Sequence, residues 1–168
     1  FSPDSKTLAS ASYDGMLKLW DTTTGKERAT LGEYRGCLGC VAFSPDGALV
    51  AYAATRSMAG AAGMSPPGAD GGQAAGMTSM PAMTMAEQIY VREPGSPTSR
   101  PIGGALGGAP FFSPDGRWLG FWHAPTGTLR KVALSGGASV RITTALSGIA
   151  GAAWGPDDRI VFAWFDLF

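Results

Sequence analysis

At 168 residues, with 13 basic and 13 acidic side chains that cancel, the chain suffices for one modest domain or part of a larger one, and it offers no electrostatic case for DNA, RNA or an anionic membrane surface. Hydrophobic residues make up 45% and charged residues only 15%, the latter well below the usual level of about a quarter, while 25 Gly and 12 Pro punctuate a chain of many short strands and turns. Apolar runs such as 48–54 are too short to span a bilayer as a helix, no leader is read from Phe1 onward (an upstream signal or anchor in a longer gene stays open), and two Cys are too few for a disulfide framework.

The chain opens on Phe1-Ser2-Pro3-Asp4. Here an aromatic ends a buried strand, Pro presets a turn, and Asp bonds nearby amides. Leu8-Ala9-Ser10-Ala11-Ser12 then reads as a strand, and Tyr13-Asp14-Gly15 as a hairpin turn with the favoured Asp-Gly pair. Met16 to Asp21 alternates as a half-buried strand should. Thr24-Gly25-Lys26 turns again, and Glu27 to Leu31 supplies an outer strand. Phe43-Ser44-Pro45-Asp46-Gly47 repeats the opening motif and is followed by a strand at Leu49 to Ala53. The stretch at about 57–86 is rich in Ala, Gly, Pro, Ser and Met, has no apolar period, and reads as a flexible insertion. It leaves after the second strand of its repeat and returns at Ile89-Tyr90-Val91, a hairpin connection where extra length costs little. Phe112-Ser113-Pro114-Asp115-Gly116 precedes a strand at Trp118 to Trp122, and Trp154-Gly155-Pro156-Asp157-Asp158 precedes one at Ile160 to Trp164.

These four anchors begin at residues 1, 43, 112 and 154, so their spacings are 42, 69 and 42. The middle spacing exceeds the others by 27 residues, which is the insertion. A period of 42 fits one four-stranded blade of a β-propeller. The expected fold is all-β: a partial propeller of about three and a half blades in an open arc. As domains, 1–168 is one incomplete propeller with repeats 1–42, 43–111, 112–153 and a truncated 154–168. An open arc exposes strand edges that are available for self-association.

Several residues invite a chemical reading beside a plainer one. Met77, Met80, Met83 and Met85 could offer thioethers to Cu(I), but no His or Cys lies among them and a low-complexity loop explains them better. Cys37 and Cys40 form a C-x-x-C without the second pair or the βαβ setting that zinc or thioredoxin chemistry needs; small buried blade residues are the preferred reading. His123, the single histidine, reads as a turn residue at a strand end, with no nucleophile elbow nearby. The glycines at 103–108 miss the dinucleotide spacing, and Gly25-Lys26 lacks the preceding glycine of a phosphate loop. The Asp-Gly turns lack the spaced oxygens of a calcium loop. Trp20, Trp118, Trp122, Trp154 and Trp164 fall on strands, most of them as core between blades. No catalytic residue, cofactor or metal site is read from the chain.

The segment LASASYDGMLKLWDTTTGK closely resembles the core of a WD-repeat, with Trp20-Asp21 as its signature dipeptide. By that resemblance Ser12, Asp14 and Trp20 are structural residues, three members of the family's hydrogen-bond tetrad. Leu31-Gly32-Glu33-Tyr34 stands where a Gly-His pair would supply the fourth, implying an incomplete tetrad and a less rigid blade. From Gln88 onward, QIYVRE, RPIGGALGGAPFFSPDGRWLGF, LRKVALSGGASVRI and GAAWGPDDRIVFA are similar to WD-like repeats of the TolB type, in particular those appended to bacterial serine/threonine protein kinases.

The resemblance implies a non-enzymatic scaffold for a protein or peptide partner, with no nucleic acid and no membrane contact within the chain. Alternatives are the sensor propeller of a bacterial serine/threonine kinase and, ranked last, the propeller of a serine peptidase. Both place catalysis in other residues. Compartment is left open: cytoplasmic, or extracytoplasmic for a membrane kinase sensor.

Overall fold

A computed structural model of the chain describes residues 1–12, 14–33, 38–55, 87–144 and 148–164. The insertion at about 57–86, its methionines, Cys37, Tyr13 and Tyr34 lie outside the described residues. Thirteen strands are found among the described residues, together with one 3-10 turn at Ala124–Thr126. They form four antiparallel sheets, and no sheet closes into a barrel. The all-β, propeller-like architecture read from the repeat is the one observed.

Sheet I is β1 (Thr7–Ala11), β2 (Met16–Asp21) and β3 (Glu27–Glu33). Sheet II is β4 (Leu38–Phe43), β5 (Val50–Thr55), β6 (Glu87–Arg92) and β7 (Arg100–Leu106). Sheet III is β8 (Gly108–Phe112), β9 (Trp118–His123), β10 (Thr128–Ala133) and β11 (Val140–Thr144). Sheet IV, among the described residues, is β12 (Ile149–Trp154) and β13 (Ile160–Trp164). Each sheet is a meander in which sequence neighbours pair. The first strands β4, β8 and β12 lie side by side, as the inner strands of successive blades do.

The anchors at residues 43, 112 and 154 each sit in the turn between the first and second strands of a sheet, and the anchor at Phe1 leads into β1. Phe43 ends β4, Phe112 ends β8 and Trp154 ends β12. The sequence period therefore runs one strand out of phase with the sheets. Thr55 and Glu87 are direct cross-strand partners at the ends of β5 and β6. The insertion thus departs from the second-to-third strand connection, at the end of sheet II opposite its anchor.

The core lies between sheets. Leu17, Leu19 and Leu31 of sheet I pack on Leu38, Tyr52 and Ala54 of sheet II. Ala51, Ala53, Ile89, Val91, Ile102 and Ala105 of sheet II pack on Phe112, Leu119, Phe121 and Val132 of sheet III. Phe111 and Leu129 of sheet III meet Ile149 of sheet IV, with Trp154 and Phe162 packed against them. Strand β5 shows why its sequence is apolar without alternation. Even residues Tyr52 and Ala54 face sheet I, odd residues Ala51 and Ala53 face sheet III, and all four are buried. A strand covered on both faces has no polar side to show. The small side chains of β5 leave room for larger ones across the interface, as the close packing of an interior requires.

Candidate interaction surface

The anchors fold by one repeated hydrogen-bond pattern. In the first three, the Ser hydroxyl donates to the Asp carboxylate two residues on: Ser2 to Asp4, Ser44 to Asp46 and Ser113 to Asp115, each at 2.6 Å. The same carboxylate oxygen accepts the next turn amide, from Lys6 at 3.1 Å, Ala48 at 3.0 Å and Arg117 at 3.0 Å. The hydroxyl also accepts an amide at the start of the following strand, from Thr7 at 2.9 Å, Leu49 at 2.8 Å and Trp118 at 2.9 Å. All three Ser residues are buried. A hydroxyl can donate once and accept as well, so one short side chain closes the hairpin from inside. These bonds hold the Asp4, Asp46 and Asp115 carboxyls below the usual carboxylate range, the Ser hydroxyl being the largest cause and the backbone amide the next.

The fourth anchor departs from the pattern. Gly155 brings no hydroxyl, and its turn is one residue shorter: Trp154 pairs with Ile160, whereas Phe43 pairs with Val50 and Phe112 with Leu119. Asp158 takes a left-handed backbone at φ 61° and accepts from the Trp154 indole at 2.7 Å. The indole replaces the missing hydroxyl as the donor that fixes a turn carboxylate.

Successive turns touch. A Cβ placed on Gly47 would meet the Pro3 ring at 3.4 Å, and one on Gly116 would meet the Pro45 ring at 3.9 Å. Each proline therefore lies over the left-handed glycine of the next repeat. Pro114 and Asp158 line one cleft, so the series reaches the fourth anchor. Beside these turns an apolar cleft of about 430 Å³ takes walls from all four anchors, among them Phe1, Pro3, Phe43, Pro45, Phe112, Pro114 and Trp154. Phe1 is 75% exposed at its edge. A second cleft of about 360 Å³ runs along β4, β8 and β12 and is lined by Cys40, Val41, Pro110 and Gly151 among others.

The three structural residues expected from sequence are placed as follows. Trp20 lies on β2, and its indole donates to Ser10 at 2.8 Å. Ser12 is one strand-face step further along and serves the turn instead: its hydroxyl accepts the Asp14 amide at 3.5 Å, and its carbonyl accepts from Gly15 and from Leu38 of sheet II. Asp14 accepts the Met16 amide at 3.0 Å, and its carboxyl is held low chiefly by that bond. Ser10 is thus the residue that sequence reasoning missed. The signal for it is the register, since Leu8 pairs with Trp20 and Ser10 follows two residues on, on the same face.

The other residues weighed from sequence stay dispersed. Cys40 is half-buried on β4, and burial first, then the Glu87 carboxylate, push its thiol pKa up; a thiol so placed is held in its unreactive form. His123 ends β9, and its ring Nδ1 lies 2.7 Å from the Thr126 hydroxyl in the following turn. Burial and then Arg130 lower its pKa. Among the described residues no group of three or more His, Cys, Asp or Glu could hold a metal ion. Trp154 stacks obliquely on Phe111 across sheets III and IV, at 6.2 Å between ring centres. Lys131 extends its ammonium over both Trp118 and Trp154, at 4.9 and 5.3 Å.

With this geometry in hand, similarity to known proteins is informative. Residues 1–21 match the family model described as WD domain, G-beta repeat. That stretch covers the first anchor and ends on the Trp20-Asp21 dipeptide. Among curated proteins the chain is 40% identical over 71 residues to apoptotic protease-activating factor 1 of Homo sapiens, covering 34% of this chain and 6% of that protein. It is 39% identical over 57 residues to WD repeat-containing protein 82 of Drosophila melanogaster, covering 33% and 18%. It is 40% identical over 45 residues to periodic tryptophan protein 2 homolog of Dictyostelium discoideum, covering 27% and 5%. The chain thus spans less than a fifth of each of these relatives. Among solved structures it resembles TolB from Acinetobacter baumannii with a TM-score of 0.64 at 18% identity, over 96% of this chain and 36% of that one. The likeness to TolB is one of fold.

Among the described residues no helix is long and apolar enough to cross a membrane.

Proposed function

We propose that this chain is a non-enzymatic scaffold of WD-repeat type that binds a protein or peptide partner across the anchor face. WD-repeat domains as a class are interaction platforms. The observation that carries the reading is the cleft of about 430 Å³ on which all four anchors converge. Its walls are rings of Phe, Pro and Trp, and the Pro residues stand on turns closed by buried Ser and Asp bonds. Such a surface is rigid before binding, which lowers the ordering cost of association. Aromatic anchors in a pocket are what interface hot spots are made of.

The test is affinity capture with the chain carrying Phe1→Glu and Pro114→Glu, both at exposed positions. A specific partner captured by the unaltered chain should be lost by at least about tenfold, one such loss being about 1.4 kcal/mol. Capture that survives the substitutions would place the contact elsewhere, and absence of any specific partner would count against the scaffold reading. In this reading the chain alone turns over no substrate, so an activity intrinsic to these residues would contradict it. The kinase-sensor and peptidase alternatives would put chemistry in other residues, and nothing in the geometry of these sheets favours them.

A further inference from the structure

The β6–β7 loop holds a feature that the apolar cleft does not use. Arg92 ends β6 and is 5% exposed. One terminal nitrogen donates to the Leu31 carbonyl of sheet I and the other to the Ser96 carbonyl of its own loop. Its Nε is buried and has no hydrogen-bond partner. Among the described residues neither Arg92 nor Arg100 forms an ion pair. The buried Arg92 guanidinium meets carbonyls and, among the described residues, no carboxylate, an arrangement that ordinarily calls for an anion.

The cleft beside it, of about 220 Å³, is lined by Arg92, Ser96, Thr98, Ser99 and Arg100, with Glu93 at an exposed position. Ser96 and Thr98 hydroxyls lie 3.0 Å apart, and the Thr98 amide donates to Ser96 at 3.1 Å. Arg100 reaches over to sheet III, where both terminal nitrogens share the Leu134 carbonyl at 3.2 Å. Two guanidiniums and three hydroxyls thus line one small cavity, together with the Glu93 carboxylate and the apolar side chains of Leu49 and Val91. Guanidinium forks match the oxygens of phosphate, and hydroxyls donate to those that remain.

We infer that this cleft is a binding site for a tetrahedral phosphate-class oxyanion, supplied as free inorganic phosphate or as a phosphorylated Ser or Thr of a peptide. The anion would neutralise Arg92 where no described side chain does so. Because β6–β7 is the third-to-fourth strand connection, the cleft shares the anchor end of sheet II, further out from the inner strands. It rests on residues separate from the apolar cleft, and either site can fail without the other.

The test is an amide-resolved NMR titration of the 168-residue chain with inorganic phosphate, with chloride at matched ionic strength as control. Saturable shifts are expected at Ser96 to Arg100 with phosphate and not with chloride. Arg100→Gln, at an exposed position, should weaken the titration at least about tenfold while leaving the strand circular dichroism unchanged. Arg92 is not the variant to use, since it also joins sheets I and II. A peptide with one phosphoserine, run beside its unphosphorylated form, separates the two sources. Tighter binding of the phosphopeptide than of phosphate assigns the site to a modified partner, and equal binding assigns it to the free ion. No saturable shift, shifts confined to other residues, or an unchanged titration in Arg100→Gln would overturn the inference.

Discussion

Ser44 and Ser113 each hold a carboxylate and a strand-starting amide from a buried position. Replacing either with Ala removes the partner of a part-buried amide. We expect a loss of about 1–3 kcal/mol in urea unfolding for each. The carboxylates they hold set an acid limit. Asp4, Asp46 and Asp115 titrate lower in the folded chain than in the unfolded one. Their contribution is therefore complete above the unfolded carboxylate pKa of about 3.9 and is lost as pH falls through the lower folded values. A melting series from pH 6 to pH 2 should fall off below about pH 4, and Asp46→Asn with Asp115→Asn should flatten it. Ser5 holds the left-handed position at φ 59° that Gly47 and Gly116 hold in the next two repeats. Ser5→Gly relieves a strain of about 1 kcal/mol, partly offset by the freedom glycine has when unfolded. The expected outcome is a small rise in melting temperature.

That each anchor Asp bonds a nearby amide was legible in the sequence because the amide lies two residues on, whereas the part of the anchor Ser hydroxyl came only with the structure. Ser10 was not legible either. Ser12 stands two residues past Ser10, just beyond the end of β1, so the alternation of the sequence alone does not choose between them. The choice comes from cross-strand register and from the turn that claims Ser12.

At the scale of the element, hairpins and strand runs followed the sequence closely because each anchor closes one hairpin locally. Met16–Asp21 is β2 as expected, and β5 and β9 begin within a residue of their predicted starts or on them. What stayed hidden is which sheet each face meets. Gly120 on β9 illustrates it: an added Cβ would stand 2.2 Å from the Phe111 ring of β8. Gly120→Ala must displace that ring from the interface with sheet IV, and overpacking of this kind costs about 1–3 kcal/mol. Chemical denaturation of the variant measures it. The Arg92 and Arg100 contacts were equally hidden, since Leu31 and Leu134 reach them only through tertiary packing. For the β5–β6 connection, the direct pairing of Thr55 with Glu87 has a practical corollary. Replacing residues 56–86 by Asn-Gly should give a two-residue hairpin with unchanged strand content and a gain in stability of about 2 kcal/mol, since each halving of the loop returns about 0.6 kcal/mol.

Across the whole molecule, each sheet presents border strands that pair with no further strand among the described residues. The two at the ends of the arc are β1 and β13, where Val161 is 73% exposed. Such borders favour pairing between copies. Light scattering across a concentration series should show association, and Val161→Lys should reduce it; an unchanged curve would show that β13 is not the contact. The four anchors made this architecture readable at a distance, because a period of 42 residues survives wherever each turn must seat the proline of its neighbour.

Because every hydrophobic cluster is shared by two adjacent sheets and none is internal to one, cohesion in this molecule belongs to the seams. Sheets II and III each have a seam on both sides, whereas sheets I and IV have one apiece among the described residues. Amide hydrogen exchange should then be graded along the arc, slowest in β5, β6 and β9 and fastest in β1 and β13, a zipper loosened from its two ends.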